Sequence, residues 1–243
     1  MHIIKVDAID STNSFLRGLN REDKLVEKVC VLAREQTAGK GQLGASWVSN
    51  PGENLTCSVF MPIQKIEASD QFYISMLVSL SVFDALQTFM IPKLSIKWPN
   101  DILSDKYKIC GILIENIVNN GRLTGVIIGV GINVNQKNFE NLPRAASLSM
   151  LSGRNFNVEE VLHSFLYALE KRFAAFDVSG FMSLKQEYEK CLFRKNKPSM
   201  FKDREGDSFV GIIQSVTQQG KLQVLLEDEI IGEFDLKELQ LLY

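Results

Sequence analysis

Three observations predict an α+β protein. Short apolar runs with strand character recur from Ile3 to Val134, two long segments carry apolar residues at helical spacing, and a succession of short strands follows Phe193. Residues 3–6 and 29–33 read as strands. Between them, Ser11 or Thr12 caps a helix that carries Phe15, Leu16 and Leu19 on one side. A strand over 54–61 precedes a long helix over 69–90, which is apolar on most faces and closed by Pro92. Residues 94–98 alternate as a short strand, Pro99 ends it, Asn100 and Asp101 turn, and 107–116 form a second, largely buried strand. Gly121 turns into a strand over 122–134, and 136–146 read as a flexible loop. Asn157 and Glu160 form a capping box for a helix over 158–176, and Phe181, Leu184, Tyr188 and Cys191 mark another helical stripe. The basic link 194–198 leads to strands over 208–215, 221–226 and 229–234, a spacing that suggests a small barrel.

Composition excludes more than it selects. With 243 residues the chain can bury a full core, enough for one large domain and a small one. A net charge of −2 argues against a non-specific nucleic-acid binder. Lys5, Asp7 and Asp10 interrupt any signal-like run, and no apolar run approaches a membrane span, so a cytoplasmic protein with no membrane partner is expected. Cys30, Cys57, Cys110 and Cys191 are widely spaced in apolar contexts and read as reduced core thiols. Of the two histidines, His2 is terminal and His163 borders a helical stripe, which argues against histidine-based nucleophilic or metal chemistry.

Two stretches carry chemistry. In Lys97-Trp98-Pro99-Asn100-Asp101, with Lys108 and Gly111 beyond, two lysines and an aspartate crowd one strand–turn–strand, as an anionic ligand with a bound metal would require. Upstream, Gly39, Gly41 and Gly44 have dinucleotide-fingerprint spacing, but the segment from Trp47 to Gly52 is loop where that fingerprint needs a helix. Lys40 is not followed by Ser or Thr in the frame of a P-loop. What remains is a glycine-rich, lysine-bearing loop whose backbone N–H groups could form an anion nest; the alternative is an ordinary surface loop.

Together these stretches resemble biotin protein ligases, which pair such a loop, ending in tryptophan, with a Lys-Trp-Pro-Asn-Asp turn. Ser11-Thr12-Asn13, the strand Lys108-Ile109-Cys110-Gly111-Ile112-Leu113-Ile114-Glu115 and the strand end Gly129-Val130-Gly131-Ile132-Asn133 match further family motifs in the same order. The resemblance implies a mixed β-sheet packed by helices, of the biotin/lipoate ligase and class II synthetase-like kind, over 1–193, and a C-terminal SH3-like barrel over 194–243. It implies activation of biotin by ATP to biotinyl-5′-AMP, then transfer to a lysine of a biotin carboxyl carrier protein or domain. Because the sequence opens at the ligase core, the form without a DNA-binding domain is expected, with no repressor activity; a homodimer is left open.

The resemblance also assigns roles. Ser11, Thr12, Asn13 and Gln36 bond the polar ring of biotin; Gly39, Lys40, Gly41 and Gln42 wrap its carboxylate and the phosphates. Trp47 closes over the ligand, unless it is a core anchor. Asn100 belongs to the ATP side and Asn133 to the adenine side, unless Asn133 is only a strand-end turn. Lys40, Lys97 and Lys108 supply positive charge, Lys108 bonds the reacting oxygens, Gly111 lets biotin lie against its strand, and Asp101 engages Mg2+. The family loop is usually arginine-rich; here Lys40 keeps charge without the planar fork, and Gln42, Leu43 and Ala45 carry none, which bears on how tightly the adenylate is retained. Alternatives are a lipoate or octanoate ligase, a non-catalytic biotin- or nucleotide-binding regulator, and a nucleic-acid module on the small barrel, the last disfavoured by few aromatics and many acids between Phe201 and Phe234.

Overall fold

The computed structural model describes residues 1–63, 66, 67, 71–120, 122–177 and 180–243. Its larger part is a seven-stranded mixed sheet built from β1 (His2–Ile9), β2 (Val29–Gln36), β3 (Leu55–Pro62), β4 (Leu94–Lys97), β5 (Asp101–Ser104), β6 (Tyr107–Asn119) and β7 (Arg122–Ile132), in the order β1-β2-β3-β7-β6-β5-β4. Only β1 and β2 run parallel, joined by α1 (Thr12–Asp23); the other neighbours are antiparallel.

The central strands are covered on both faces, so they read as nearly continuous apolar runs. Cys57, Val59 and Met61 of β3 and Val126, Ile128, Val130 and Ile132 of β7 face the main core. That core is filled by α2 (Phe72–Thr88), α4 (Val158–Ala175) and α5 (Phe181–Lys190). A second cluster holds Leu16 of α1 against Val29, Val31, Phe60 and Ile127. Period-two alternation then puts Thr56 and Ser58 of β3, Gly129 and Gly131 of β7, and Gly111 and Glu115 of β6 on the α1 face. These small and polar positions form the floor of the site.

Beyond residue 193, β8 (Pro198–Asp203), β9 (Ser208–Val216), β10 (Leu222–Leu225), β11 (Ile231–Phe234) and β12 (Leu239–Leu242) make a five-stranded antiparallel sheet in the order β11-β10-β9-β8-β12. The arrangement is consistent with an SH3-like domain, although among the described residues no pairing of β11 with β12 closes a barrel. Phe201, Ile213, Val216, Leu222 and Val224 continue the main core, and Trp98 Nε1 donates to Gly220 O at 2.9 Å, so this sheet is packed onto the turn after β4.

The structure departs from the sequence reading in several elements. Asp101 is not a turn residue: the turn is 98–100, and Asp101 opens a strand of its own between β4 and β6. Four residues were too few for periodicity to separate β5 from its turn. β8, β12 and the short α3 (Leu148–Ser152) were missed; β8 begins at Pro198, which the basic composition of 194–198 disguised as a link. The 136–146 segment is anchored at both ends. Gln136 is buried and accepts from Asn50 N and Asn54 Nδ2, while Lys108 N donates to Arg144 O and Ala146 N donates to Lys108 O. Asn157 caps α4 through Glu159 N. The expected start of the long helix at Ser69 and the turn at Gly121 lie outside the described residues.

Candidate functional site

A cavity of ≈ 240 Å³ lies over the glycine-bearing floor of β6 and β7. Ser11, Thr12, Asn13 and Gln36 line one end, Asn100, Asp101 and Lys108 the other, and Lys40, Gly41, Gln42 and Trp47 the roof. Each end follows from its secondary structure.

The polar end sits where α1 begins. Ser11 is the N-cap residue, but its hydroxyl makes no cap bond. The orphan N–H of Thr12 is satisfied instead by Gln36 Oε1, at 2.8 Å, from the end of β2. The Thr12 hydroxyl lies 3.0 Å from the same oxygen. Ser58, which sequence reasoning did not single out, reaches Thr12 Oγ1 at 2.6 Å and Asn13 Oδ1 at 2.5 Å. Asn13 Nδ2 donates to Glu115 Oε2 at 2.9 Å, and Arg17 pairs with the other oxygen of Glu115. Glu115 had entered only as the last letter of a strand motif. The signal for both residues was their place on the polar face of an otherwise apolar strand.

The charged end is centred on Asp101. In the β4–β5 hairpin Lys97 is its direct cross-strand partner, and Gly111 of β6 lies opposite on the other side. Lys108 Nζ is 2.7 Å from Oδ1 and Lys97 Nζ is 3.6 Å from Oδ2, with the Asp101 side chain only 13% exposed. Lys108 approaches Oδ1 off the hydrogen-bonding direction, so this buried oxygen has a counter-ion but no aligned donor. Asp105, at the far end of the same hairpin, pairs with Lys93. Asn100 is fixed by two bonds to Ile112, donating from Nδ2 and accepting at its own carbonyl.

A further missed neighbour comes from the C-terminal sheet. The Tyr243 ring lies 5.6 Å from Lys97 Nζ and 4.5 Å from the Arg144 guanidinium carbon. Burial pushes the Tyr243 phenol up, Asp101 adds to this, and Arg144 opposes it.

The loop from Gly39 to Trp47 folds as a small hairpin. Trp47 N donates to Gly39 O, Gly41 N to Ala45 O and Ala45 N to Gln42 O. Three of the loop's backbone donors, on Gly41, Ala45 and Trp47, are thus used within the loop itself. Its tip, Gln42–Gly44, carries Leu43 and Gly44 at positive φ, and Leu43 is 59% exposed. Lys40 Nζ donates to Ser14 Oγ at 2.8 Å.

The Trp47 indole lies on the glycine floor: side chains at Gly111 or Gly131 would collide with its ring. The space that Gly111 was expected to offer the ligand is thus covered by the indole, whose buried Nε1 has no acceptor. Lys108 Nζ is 5.7 Å from the ring centroid.

Three expected site residues do not line the cavity. Gly39 lies behind Trp47, Lys97 lines a neighbouring cavity against the C-terminal sheet, and Asn133 is buried with its amide donating to Ala146 O and Lys108 O. His163 is exposed. Cys30, Cys57 and Cys110 are buried free thiols, and Cys191 is half-buried. The Cys57 thiol is pushed up by its hydrogen bond to Cys30 and by burial, and burial likewise pushes Cys110 up. Among the described residues no three His, Cys, Asp or Glu side chains cluster to hold a metal, and no helix is long and apolar enough to cross a membrane.

Residues 6–133 match the biotin/lipoate A/B protein ligase family. The chain is 32% identical to the bifunctional ligase/repressor BirA of Bacillus spizizenii over 197 residues, 77% of this chain and 58% of that protein. It is 29% identical to the biotin–[acetyl-CoA-carboxylase] ligase of Paracoccus denitrificans over 225 residues, 88% of this chain and 90% of the other. The biotin protein ligase from Aquifex aeolicus in complex with biotin and ATP superimposes with a TM-score of 0.82 at 25% identity, covering 99% of this chain and 98% of that one.

Proposed function

The chain belongs to the biotin/lipoate A/B protein ligase family, and from that premise we propose that it is an ATP-dependent biotin ligase acting on a biotin carboxyl carrier protein or domain. The observation that carries the proposal is the polarity of one cavity, with hydrogen-bonding side chains at one end and, at the other, Lys108 beside a buried aspartate that Lys97 pairs with from outside the cavity. A small polar ring joined to a carboxylate fits that order. The Paracoccus relative named as a biotin ligase, and the Aquifex structure titled as holding biotin and ATP, support the choice of substrates.

In this reading Ser11, Thr12, Asn13 and Gln36 receive the ureido ring. An oxygen of the biotin carboxylate attacks the α-phosphorus of ATP, the bond to the bridging β-oxygen breaks, and pyrophosphate leaves. Both reactants are anions, so Lys108 and Lys40 bring them together and stabilise charge that grows between them. Lys97 holds Asp101 in place. The neutral ε-amine of an acceptor lysine then attacks the anhydride carbonyl; its carbonyl–oxygen bond to AMP breaks, and the amine gives up a proton. No histidine is needed.

Mg2+ fits this site through Asp101, whose Oδ1 lacks an aligned donor; magnesium takes one or two carboxylates with substrate phosphates and keeps several waters. When bound, it neutralises phosphate charge. We assign 1–193 to catalysis and 194–243 to a separate C-terminal domain, supported by the change of sheet near residue 198. The test is direct: incubate the protein with ATP, magnesium, labelled biotin and a carboxyl-carrier domain. Label on the carrier's lysine is expected; a carrier that stays unlabelled while biotin still binds favours the non-catalytic regulator.

A further inference from the structure

The hydrogen-bond cluster at the polar end is one proton short. Gln36 Oε1, Thr12 Oγ1, Ser58 Oγ and Asn13 Oδ1 form a chain of three oxygen–oxygen contacts, at 3.0, 2.6 and 2.5 Å. The Thr12 and Ser58 hydroxyls supply only two protons for those three contacts. Turning an amide to supply a third is blocked at each end. Gln36 must keep its oxygen toward the Thr12 backbone N–H, 2.8 Å away. Asn13 must keep its nitrogen toward Glu115 Oε2, 2.9 Å away, since a carboxylate accepts only. Glu115 is itself held in place by Arg17. Gly129 makes room for the arrangement, because any side chain there would collide with Asn13 Oδ1.

We propose that Glu115, braced by Arg17, is a specificity-setting positioning residue: it pins the Asn13 amide oxygen toward the cluster, so the cavity is completed by a ligand that brings its own N–H donors. An N–H given to Gln36 Oε1 replaces the Thr12 hydroxyl there, so the Thr12 proton can turn to Ser58 and the Ser58 proton to Asn13, and each of the four oxygens then takes part in a hydrogen bond. An N–H given to Asn13 Oδ1 supplies that oxygen's donor from the other side, leaving the Ser58 proton to Thr12 and the Thr12 proton to Gln36. A ring with only acceptors deepens the shortage. The inference rests on the biotin reading and explains how this chain would read a ureido ring from behind its contact residues.

Glu115→Gln is the informative variant because it keeps the shape. Arg17 would claim the oxygen of the introduced amide, the nitrogen of that amide would face Asn13, and the Asn13 amide would turn over, giving the cluster its missing proton internally. Biotin affinity measured by calorimetry should fall about tenfold to a hundredfold, as expected when a buried donor loses its acceptor. Preference for biotin over an analogue with one ring N–H replaced by oxygen should shrink with it. The double variant Glu115→Gln with Asn13→Asp restores an acceptor facing Ser58, and should regain at least about tenfold in affinity. Wild-type protein that binds no biotin would defeat the biotin reading itself. Wild-type protein that binds biotin while Glu115→Gln binds it equally well would overturn the positioning role, as would a weakened single variant whose double partner regains nothing.

Discussion

At the polar end of the cavity each anchoring group is set by a neighbour in the fold: Gln36 by the Thr12 amide, Asn13 by Glu115, Glu115 by Arg17. At the charged end the groups hold one another. Lys97 and Lys108 share Asp101, and Lys40 reaches from a hairpin loop to Ser14. The first end is a template fixed by helix and strand geometry. The second is a set of mutual ion pairs that an incoming anion and metal can rearrange. In the proposed reading, such a site selects its ligand at the rigid end and does its chemistry at the adaptable end.

The largest expected effect is at the adaptable end. Lys108→Ala should lower biotin-dependent adenylation about 10²–10³-fold, the usual result of removing one charge-stabilising donor. Lys108→Arg should also be poor, because a planar fork replaces a compact ammonium. Near-normal turnover with a lower melting temperature would instead make Lys108 a structural partner of Asp101. A smaller effect is expected at the rigid end: Gln36→Met should raise KM for biotin about tenfold to a hundredfold while largely sparing kcat. A loss confined to kcat would erase the distinction between the two ends. Lys40→Ala should cost less still, about tenfold or below in KM for ATP, because its exposed ammonium is screened by solvent.

The smallest effect on activity concerns the C-terminal sheet. Glu189 of α5 meets Lys195 Nζ at 2.7 Å, Ser215 Oγ at 2.6 Å and Val216 N at 3.1 Å. Burial pushes its carboxyl up, but these bonds outweigh burial and hold it below its ordinary value of 4.5. A depressed folded-state value means that the stabilisation is full above the ordinary value and is lost as pH falls through the folded one. Acid melting followed by hydrogen exchange should therefore loosen β9 against α5 below about pH 4.5, and Glu189→Gln should remove that pH dependence. An unchanged acid profile in the variant would show that this anchor does not tie the sheet to α5.

Much of the fold was legible because the central strands and long helices carry strong periodicity: β3, β7 and α4 stand within a few residues of their expected positions. The misses share a cause. β5, β12 and α3 have four or five residues, too few for a period, and β8 opens on the proline that ends a basic run. The site was legible as residue types in order. What sequence order could not show was that Lys108 turns to Asp101, that Trp47 lies on the glycine floor, or that Ser58 and Glu115 stand behind Thr12 and Asn13. Those depend on strand register and on which face a side chain takes.

The proposed function turns on which acid the cavity activates. The measurement is ATP–pyrophosphate exchange by the purified protein, with magnesium, in the presence of biotin or of lipoate. Exchange driven by biotin and not by lipoate is the predicted result, because a polar end pinned by Gln36, Asn13 and Glu115 offers no acceptable place to an apolar dithiolane ring. Equal exchange with both acids, or exchange with lipoate alone, would contradict it.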